Sequence, residues 1–362
     1  MHDELLFANE GPDPAPEAEA PPPWKVAVID DDESVRAITR LALALLKVDG
    51  RPLQLLEAAS AAEGIALFEA HPDIALGFVD MVMEEPSAGL KVVDAVRGAQ
   101  GNHKVRLVVR TGQPGHLPEE RIVRDYEVND YREKTELSAQ KLRSVATSAI
   151  RAYRDLDRME SDYHALAALL AEVAEQQVSG HAGHADGVAA LLKALGALAG
   201  LPATRVVTLQ HAALLHDLGL VALPEGRDGT ISAGRRIDDE THRRVRDHAA
   251  GGAHLLAVLA SPEGQLAARL AREHHERWDG TGYPDGLAGE ANALESRLLA
   301  LANALDMQLA PVDGSPAADA AAIRVSIEAE AGRAYDPALA ALALAHLPLL
   351  VDVHRRSPGT PP

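Results

Sequence analysis

Short apolar runs alternate with helical patterns between residues 24 and 137. The runs have the length of buried strands, and stretches with apolar positions three and four residues apart separate them. The first run, KVAVID, ends at Asp30, and the first helical pattern begins at Ser34. Regular alternation of strand and helix predicts an α/β doubly wound domain, a parallel sheet with helices on its two faces.

The pattern changes after this first domain. Residues 138–178 read as one long helix with charge on one face and no strand signal, so we predict a linking helix that is also a candidate homodimer interface. Residues 179–350 combine helical patterns with polar loops, which predicts an all-α second domain. Residues 1–23 are a tail of Pro, Ala and acidic side chains that we expect to be disordered, and residues 351–362 form a second tail.

Composition narrows the chemistry available to the chain. The 35 basic and 54 acidic residues give a net charge of −19, which argues against nucleic-acid binding and against a basic membrane-surface protein. The chain contains no cysteine, so disulfides, thiolate metal sites and cysteine nucleophiles are excluded. Any metal site must use His, Asp, Glu or Asn side chains.

The apolar stretches are too short and too interrupted for a membrane span, which takes about 18 or more consecutive apolar residues. The N-terminal sequence MHDELLFANE has no basic start and no apolar core of the kind that secretory signals carry. We therefore expect a cytoplasmic protein with no membrane partner.

Polar side chains end four of the apolar runs in the first domain. Asp30 and Asp31 end the first run, Asp80 and Thr111 end two others, and Lys134 follows the last. Because parallel strands bring their carboxyl ends to one edge of a sheet, we expect these side chains to gather there. Three carboxylates together would repel one another without a hard cation, so the set predicts a magnesium site. Taken singly, each acid fits a solvated loop residue or a helix cap better.

The order and spacing of these positions resemble the receiver domain of bacterial two-component response regulators over residues 24–137. The resemblance implies the following roles: Asp80 as the phosphorylated aspartate, Asp30 and Asp31 as Mg²⁺ ligands, and Thr111 and Lys134 as contacts of the phosphoryl group. A receiver also implies a cognate histidine kinase as partner.

Two positions around this lysine qualify the resemblance. Tyr131 stands where the family has its switch aromatic, although a tyrosine near a strand end also fits simple packing. Thr135 follows the lysine where most receivers have proline. In addition, RTGQPG replaces the usual small residue after Thr111, and this segment and the one at Thr135 resemble a receiver variant associated with phosphodiesterase output domains.

Histidine is concentrated in one part of the second domain. Nine of the 16 histidines lie in the 95 residues from His181 to His275. Neutral imidazole is a common ligand of transition metals, and a neighbouring aspartate can bridge two ions. His216 and Asp217 come at the end of an apolar helical pattern, where an ionised carboxylate would be costly without a cation. The region therefore predicts a metal centre.

These motifs resemble the HD-GYP family of metal-dependent phosphohydrolases, whose members degrade cyclic di-GMP. The resemblance implies a site with two divalent metals, iron, manganese or zinc, in which Asp217 is the catalytic residue that bridges the metals. The implied metal ligands are His184, His216, Asp217, His248, His274, His275 and the weaker Asn303. Gly282, Tyr283 and Pro284 form the GYP triplet, which would line the substrate pocket and dock protein partners.

Three positions depart from the family pattern. Gly180 stands where many members have an acidic ligand, which argues against a third metal. Leu220 replaces a lysine expected to contact substrate phosphate, and Arg236 is the candidate to replace that cation. Asn303 replaces an aspartate ligand and keeps only a carbonyl oxygen, so the first metal should bind more weakly.

Three functions remain open at this level. The first is an active cyclic di-GMP phosphodiesterase regulated by the receiver. The second is a degenerate domain that binds the nucleotide or a protein without turnover, and the third is a phosphohydrolase for another nucleotide. Four other histidines are assigned to solvent or packing rather than to metal binding: His181, His211, His242 and His254.

Overall fold

The computed structural model of the chain describes residues 21–112, 126–136, 138–176, 183–222, 239–310 and 317–357. These residues divide into two compact units, which fall within Met1–Ala95 plus His103–Arg154 and within Val96–Asn102 plus Asp155–Pro362. The domain boundaries given above remain predictions. Most of the N-terminal tail, Gly180, His181 and Arg236 lie outside the described residues.

The first unit is built on a six-stranded sheet. Its strands are β1 Trp24–Ile29, β2 Lys47–Val48, β3 Arg51–Ala58, β4 Leu76–Asp80, β5 Arg106–Thr111 and β6 Asp130–Glu133. Their order across the sheet is β2-β3-β1-β4-β5-β6, and every neighbouring pair from β3 to β6 is parallel. The central strand β4 is buried along its whole length, and β1 is buried at every position except Lys25, as expected for a sheet covered on two faces.

The short β2 strand departs from the predicted all-parallel sheet. β2 pairs with β3 in antiparallel fashion, with Lys47 opposite Pro52. The connection is Asp49-Gly50, and the two residues have φ of 51° and 80°. Positive φ at two successive turn residues is the geometry of a two-residue hairpin, which Asp-Gly favours. The sheet is therefore mixed, with one antiparallel edge strand.

Helices cover the sheet of the first unit. They are α1 Glu33–Leu43, α2 Ala61–Ala70, α3 Ala88–Asp94 and the first part of α4 Ala139–Glu175. In α4, Leu142, Ala146, Ile150 and Tyr153 recur at helical spacing and pack into the same core as the β1 and β4 side chains. The long helix predicted over 138–178 thus begins as part of the first unit.

The second unit is all-α in the residues that the structure describes. It contains the remainder of α4, then α5 His184–Leu198, α6 Ala203–Ala213, α7 Asp239–Leu256, α8 Pro262–Glu273, α9 Leu294–Leu309, α10 Ala320–Glu330, α11 Pro337–Ala345 and α12 Leu347–Arg355. A continuous core of Ala, Leu, Val and Ile side chains joins these helices. The predicted fold class, an α/β domain followed by a long helix and an all-α domain, is confirmed.

No single described helix is both long enough and apolar enough to cross a membrane. One consecutive pair, α11 and α12, reaches that length and composition together, and a bend of 73° separates the two helices.

Candidate metal centres

The acids predicted at the strand ends meet in one pocket of the first unit. Asp80 ends β4 and Asp30 follows β1, and both carboxylates are almost completely buried. The Lys134 ammonium joins them, with its Nζ 2.9 Å from Asp80 Oδ2 and 3.0 Å from Asp30 Oδ2. Thr111, also buried, ends the adjacent strand β5, while Tyr131 lies half-buried on β6.

The oxygen donors of this pocket suit a hard cation. One carboxylate oxygen each from Asp30, Asp31 and Asp80 lies within 4.8 Å of the others. Asp80 Oδ1 is buried and accepts no hydrogen bond from the described residues, so it is open to a cation or a phosphoryl group. Burial raises the pKa of Asp80, and the neighbouring Asp30 raises it further, against the opposing effect of Lys134. A divalent cation such as Mg²⁺ would relieve this accumulation of charge.

A buried arginine in this pocket was not predicted. Arg110, one residue before Thr111, donates from Nη2 to Asp30 Oδ2 at 3.2 Å and from Nη1 to Thr39 Oγ1 at 2.8 Å. Its side chain is 3% exposed, and burial lowers its pKa. The signal was present in the strand VRLVVRT, because a charged residue inside a buried strand requires a counter-charge.

The second unit gathers the predicted histidines around Asp217. His216 and Asp217 lie in the turn after α6, while His248 comes from α7 and His274 directly follows α8. Asp217 Oδ1 is 3.2 Å from His248 Nε2 and 3.3 Å from His274 Nε2. Its other oxygen, Oδ2, is 3.5 Å from His216 Nε2 and 3.9 Å from His184 Nε2. The two oxygens of one carboxylate therefore face two different sets of imidazoles.

These sets form two candidate metal positions that share Asp217. One contains His184 and His216, and the other contains His248, His274 and His275, with donor atoms in each set within 4.8 Å of one another. The Nε2 atoms of His248 and His274 are 3.1 Å apart. Two ligand nitrogens at about 2.1 Å from one ion stand roughly 3.0–3.4 Å apart, so this spacing fits a shared metal.

Hydrogen bonds fix the tautomer of three imidazoles. The Nδ1 of His216 donates to the Ala213 carbonyl at 2.8 Å, and that of His274 donates to the Ala271 carbonyl at 2.9 Å. His184 donates from Nδ1 to a carboxylate, Asp306 Oδ2, at 2.6 Å. Because Nδ1 carries the proton in each ring, Nε2 keeps its lone pair for a metal.

The protonation states of the centre suit metal binding. Burial lowers the pKa of His216 to about 4, so the ring is neutral at pH 7. Burial and the neighbouring His274 hold the pKa of His275 well below its usual value. Although burial opposes ionisation of Asp217, the surrounding imidazoles hold its pKa well below the usual range. His216 and His275 thus present neutral nitrogens beside an anionic bridge, whereas at His184 the contact with Asp306 raises the pKa against the effect of burial.

Asn303 borders the cavity next to this centre. The cavity has a volume of about 430 Å³, and its walls include His274, His275, Tyr283 and Asn303. Asn303 Oδ1 is buried and accepts no hydrogen bond from the described residues. An unpartnered buried carbonyl oxygen is a neutral ligand for a cation, which fits the weaker ligand role predicted for Asn303.

The sequence analysis assigned no role to four supporting residues of this centre. Asp306 Oδ1 accepts from His354 Nε2 at 2.8 Å, while Oδ2 holds His184. Gly187 lets Asp306 approach, since a Cβ there would lie 2.0 Å from Asp306 Oδ1. Glu175 accepts from the backbone N–H groups at the start of α5, where His184 is the first residue. These partners are far apart in sequence, so no local pattern reveals them.

The GYP triplet shapes the mouth of the cavity. Tyr283 stacks on His275 with ring centroids 4.7 Å apart. The Arg246 guanidinium carbon lies over the Tyr283 ring, 4.4 Å from its centroid. Gly282 is required because a Cβ there would lie 2.4 Å from the backbone nitrogen of Arg277. Pro284 completes the triplet. Glu276 holds the loop by accepting the N–H groups of the three residues that follow Pro284.

The missing family lysine leaves an apolar position. Leu220 lies in the 3₁₀ turn Leu218–Ala222 and is 5% exposed, so it contributes to packing. Arg236, its predicted substitute, lies outside the described residues. Two other arginines line the cavity. Arg277 pairs with Glu330 at 2.8 Å, whereas Arg246 has no carboxylate within 4.0 Å among the residues that the structure describes.

Comparison with known proteins identifies the second unit. Residues 166–339 match the family model described as HD domain. The chain carries an HD domain. HD domains are metal-dependent phosphohydrolases, and the donor set around Asp217 has the composition that such chemistry needs. The match lies in the second unit and includes the donor set around Asp217.

The chain is similar to two curated relatives and to one solved structure. The 3'3'-cGAMP-specific phosphodiesterase 2 of Vibrio cholerae is 26% identical over 90% of this chain and 91% of its own length. The cyclic di-GMP phosphodiesterase response regulator RpfG of Xanthomonas campestris is 35% identical over 42% of this chain and 41% of its own length. The receiver domain of an HD domain-containing protein from Pseudomonas fluorescens is 16% identical, with coverage of 37% and 98% and a TM-score of 0.32.

Proposed function

We propose that the HD domain hydrolyses a cyclic dinucleotide at a two-metal centre under control of the receiver. The observation that carries this proposal is the position of the Asp217 carboxylate, whose two oxygens face two different sets of imidazoles. Two divalent ions held there would lower the pKa of a water and stabilise the charge that develops on the phosphoryl oxygens. The two relatives are named as cyclic-dinucleotide phosphodiesterases, which supports this proposal.

The residues of the chain supply binding and orientation. Asp217 would supply the carboxylate that the two positions share, and the ring nitrogens of five histidines would hold the metals: His184, His216, His248, His274 and His275. The cavity beside this centre is lined by Tyr283 and Arg246, which offer an aromatic face and a cation to a nucleotide base and its phosphate.

Cyclic di-GMP is the first substrate that we propose, because it is the named substrate of a 35% identical relative. A second candidate, 3'3'-cGAMP, is favoured by the relative that aligns with 90% of this chain. The two dinucleotides share a cyclic diphosphate ring and differ in one base, so the metal centre alone does not discriminate between them.

Measuring metal content and turnover on the same sample tests the proposal. Protein purified without chelator is analysed for iron, manganese and zinc, and the same sample is assayed with each dinucleotide after addition of Fe²⁺ or Mn²⁺. We expect two equivalents per chain from this centre and conversion to linear dinucleotide or mononucleotide. Nucleotide binding without hydrolysis by fully loaded protein would instead identify a binding module and overturn the enzymatic proposal.

Replacing Arg246 by Met tests the substrate contact. We expect a rise in KM of about 10–100-fold, because a charge-assisted contact to phosphate contributes about 1.5–3 kcal/mol. Metal content should not change, since Arg246 is not a metal ligand. The exposed Arg269, which does not line the cavity, provides the matched control Arg269→Met. Equal KM values for the two variants would exclude Arg246 from substrate binding.

Replacing Asn303 by Asp tests the weakened metal position. The added negative charge should tighten the weaker metal by about 10-fold or more, because the variant replaces a neutral amide oxygen with a carboxylate. Titration of metal-stripped protein with Mn²⁺ measures the change directly. If the affinity of both metal positions is the same as in the wild type, Asn303 does not contact a metal.

For the receiver we propose phosphorylation of Asp80 by a histidine kinase, with Mg²⁺ held by Asp30 and Asp31 and with Lys134 and Thr111 at the phosphoryl group. Asp80→Asn should abolish labelling by acetyl phosphate, because an amide oxygen does not form the acyl phosphate. Asp73→Asn, at an exposed carboxylate of the same unit, is the control. Labelling that persists in Asp80→Asn would identify another acceptor.

A further inference from the structure

A second group of metal-ligating side chains lies in the HD unit and shares no residue with the Asp217 centre. It consists of His164 on α4, His211 on α6 and Glu263 in the first turn of α8, called here the peripheral cluster. Glu263 Oε1 is 3.2 Å from His164 Nε2 and 4.0 Å from His211 Nδ1. One donor atom from each of the three residues lies within 4.8 Å of the others.

The arrangement of this cluster is unusual for simple packing. The imidazole rings of His164 and His211 have centroids 3.2 Å apart, and the three side chains are 18–24% exposed. Burial raises the pKa of Glu263, and the nearby Glu160 raises it further, while His164 opposes the shift. A partly buried carboxylate beside two imidazoles is a donor set that a bound cation would stabilise.

A neighbouring tyrosine gives an independent indication of a ligand. The hydroxyl of Tyr163 is buried and has no hydrogen-bond partner among the described residues. The Tyr163 ring centroid lies 5.8 Å from that of His164, which places the tyrosine beside the cluster. Burial raises the pKa of Tyr163, and the Glu263 carboxylate adds to the effect. A buried hydroxyl normally finds a partner, and a water on a bound ion would supply one.

We propose that His164, His211 and Glu263 bind a divalent transition-metal ion of the Zn²⁺ class, separate from the ions of the Asp217 centre. Two imidazoles and one carboxylate form a recurrent ligand set for such ions, and partial exposure leaves positions open to water. The ion joins three helices. This assigns to His211 a role that differs from the packing role inferred from sequence.

The position of the cluster along the chain gives the ion a structural consequence. Helix α6 runs from His211 into the turn that carries Asp217, and α8 runs from Glu263 to the residue before His274. His164 belongs to the long helix α4. A metal at the cluster therefore fixes α4 to the two helices that lead into the hydrolytic centre, so its removal should loosen that attachment without removing a ligand of the centre.

Zinc titration of the full-length chain tests this site. Protein stripped with chelator is titrated with Zn²⁺, and bound metal is counted after gel filtration for the wild type, His164→Gln and Glu263→Gln. The control is His254→Gln, at an exposed histidine of α7. We expect each cluster variant to lose one equivalent and the control to lose none. The variant Asp217→Ala should keep one equivalent, which His164→Gln removes in that background.

The two proposals fail in different ways. If the Asp217 centre binds no metal, the wild type and Asp217→Ala bind the same single equivalent, and His164→Gln still abolishes it. If the peripheral cluster binds none, the wild type, His164→Gln and Glu263→Gln retain equal counts, and the proposal is wrong. Zn²⁺ should also slow amide hydrogen exchange in residues 155–175 of α4 in the wild type, and equal rates with and without Zn²⁺ would likewise overturn it.

Discussion

Replacing Asp217 by Ala is expected to remove both metals of the hydrolytic centre and to reduce cyclic dinucleotide turnover by at least about 10³-fold. Its two carboxylate oxygens face His184 and His216 on one side and His248 and His274 on the other. The alanine leaves each set without its anion, and imidazoles carry no negative charge that could compensate two divalent ions. Elemental analysis and a turnover assay on one preparation measure the two losses together.

The control for this variant is Asp247→Ala. Asp247 is an exposed acid on α7, one residue before His248, so its removal changes the local charge without altering a donor. Metal content and turnover should equal those of the wild type. Acetyl-phosphate labelling of Asp80 should persist in both variants, since Asp80 belongs to the first unit and both substitutions lie in the second. If Asp217→Ala retained both metals, the bridging role would be wrong.

The pocket around Asp80 and the centre around Asp217 offer different donor atoms and therefore suit different metals. The pocket around Asp80 offers carboxylate oxygens and two cations, the buried Arg110 and the partly exposed Lys134, which suits Mg²⁺ and a transferred phosphoryl group. The centre around Asp217 offers imidazole nitrogens fixed in one tautomer, which suits transition metals. Lys134 and Arg110 offset part of the carboxylate charge in the first site, whereas the second has imidazoles around a single carboxylate.

Much of the two sites was predictable because their residues carry local signals. Asp30 and Asp80 end buried strands, and parallel strands bring such ends together whatever lies between them. The pair His274-His275 and the HD pair stand out because histidine is rare and costly in apolar surroundings. The fold class follows from the alternation of apolar runs with helical patterns, which burial on one or two faces imposes.

The features that were missed depend on pairings distant in sequence or on a short local signal. His184 and Asp306 are 122 residues apart, and Asp306 and His354 are 48 apart, so only the packing of α5, α9 and α12 brings them together. The antiparallel strand β2 has only two residues, and its one signal was the Asp49-Gly50 turn.

Replacing Asp306 by Asn is expected to disable one metal position and to leave the other intact. The carboxylate accepts from His184 Nδ1 through one oxygen and from His354 Nε2 through the other, and both contacts are buried. An amide has the same shape but one acceptor and one donor, so one imidazole meets an N–H group instead of an oxygen. His184 then loses its fixed tautomer, and the metal that it shares with His216 should bind about 10–100-fold more weakly.

The same substitution should also lower the free energy of unfolding by about 1–3 kcal/mol, because a buried donor is left unsatisfied. Titration with Mn²⁺ and thermal unfolding measure the two effects, with Asp352→Asn, at an exposed acid of α12, as the control. Equal weakening of both metal positions would contradict the division of the centre into two sets, because Asp306 contacts only one of them.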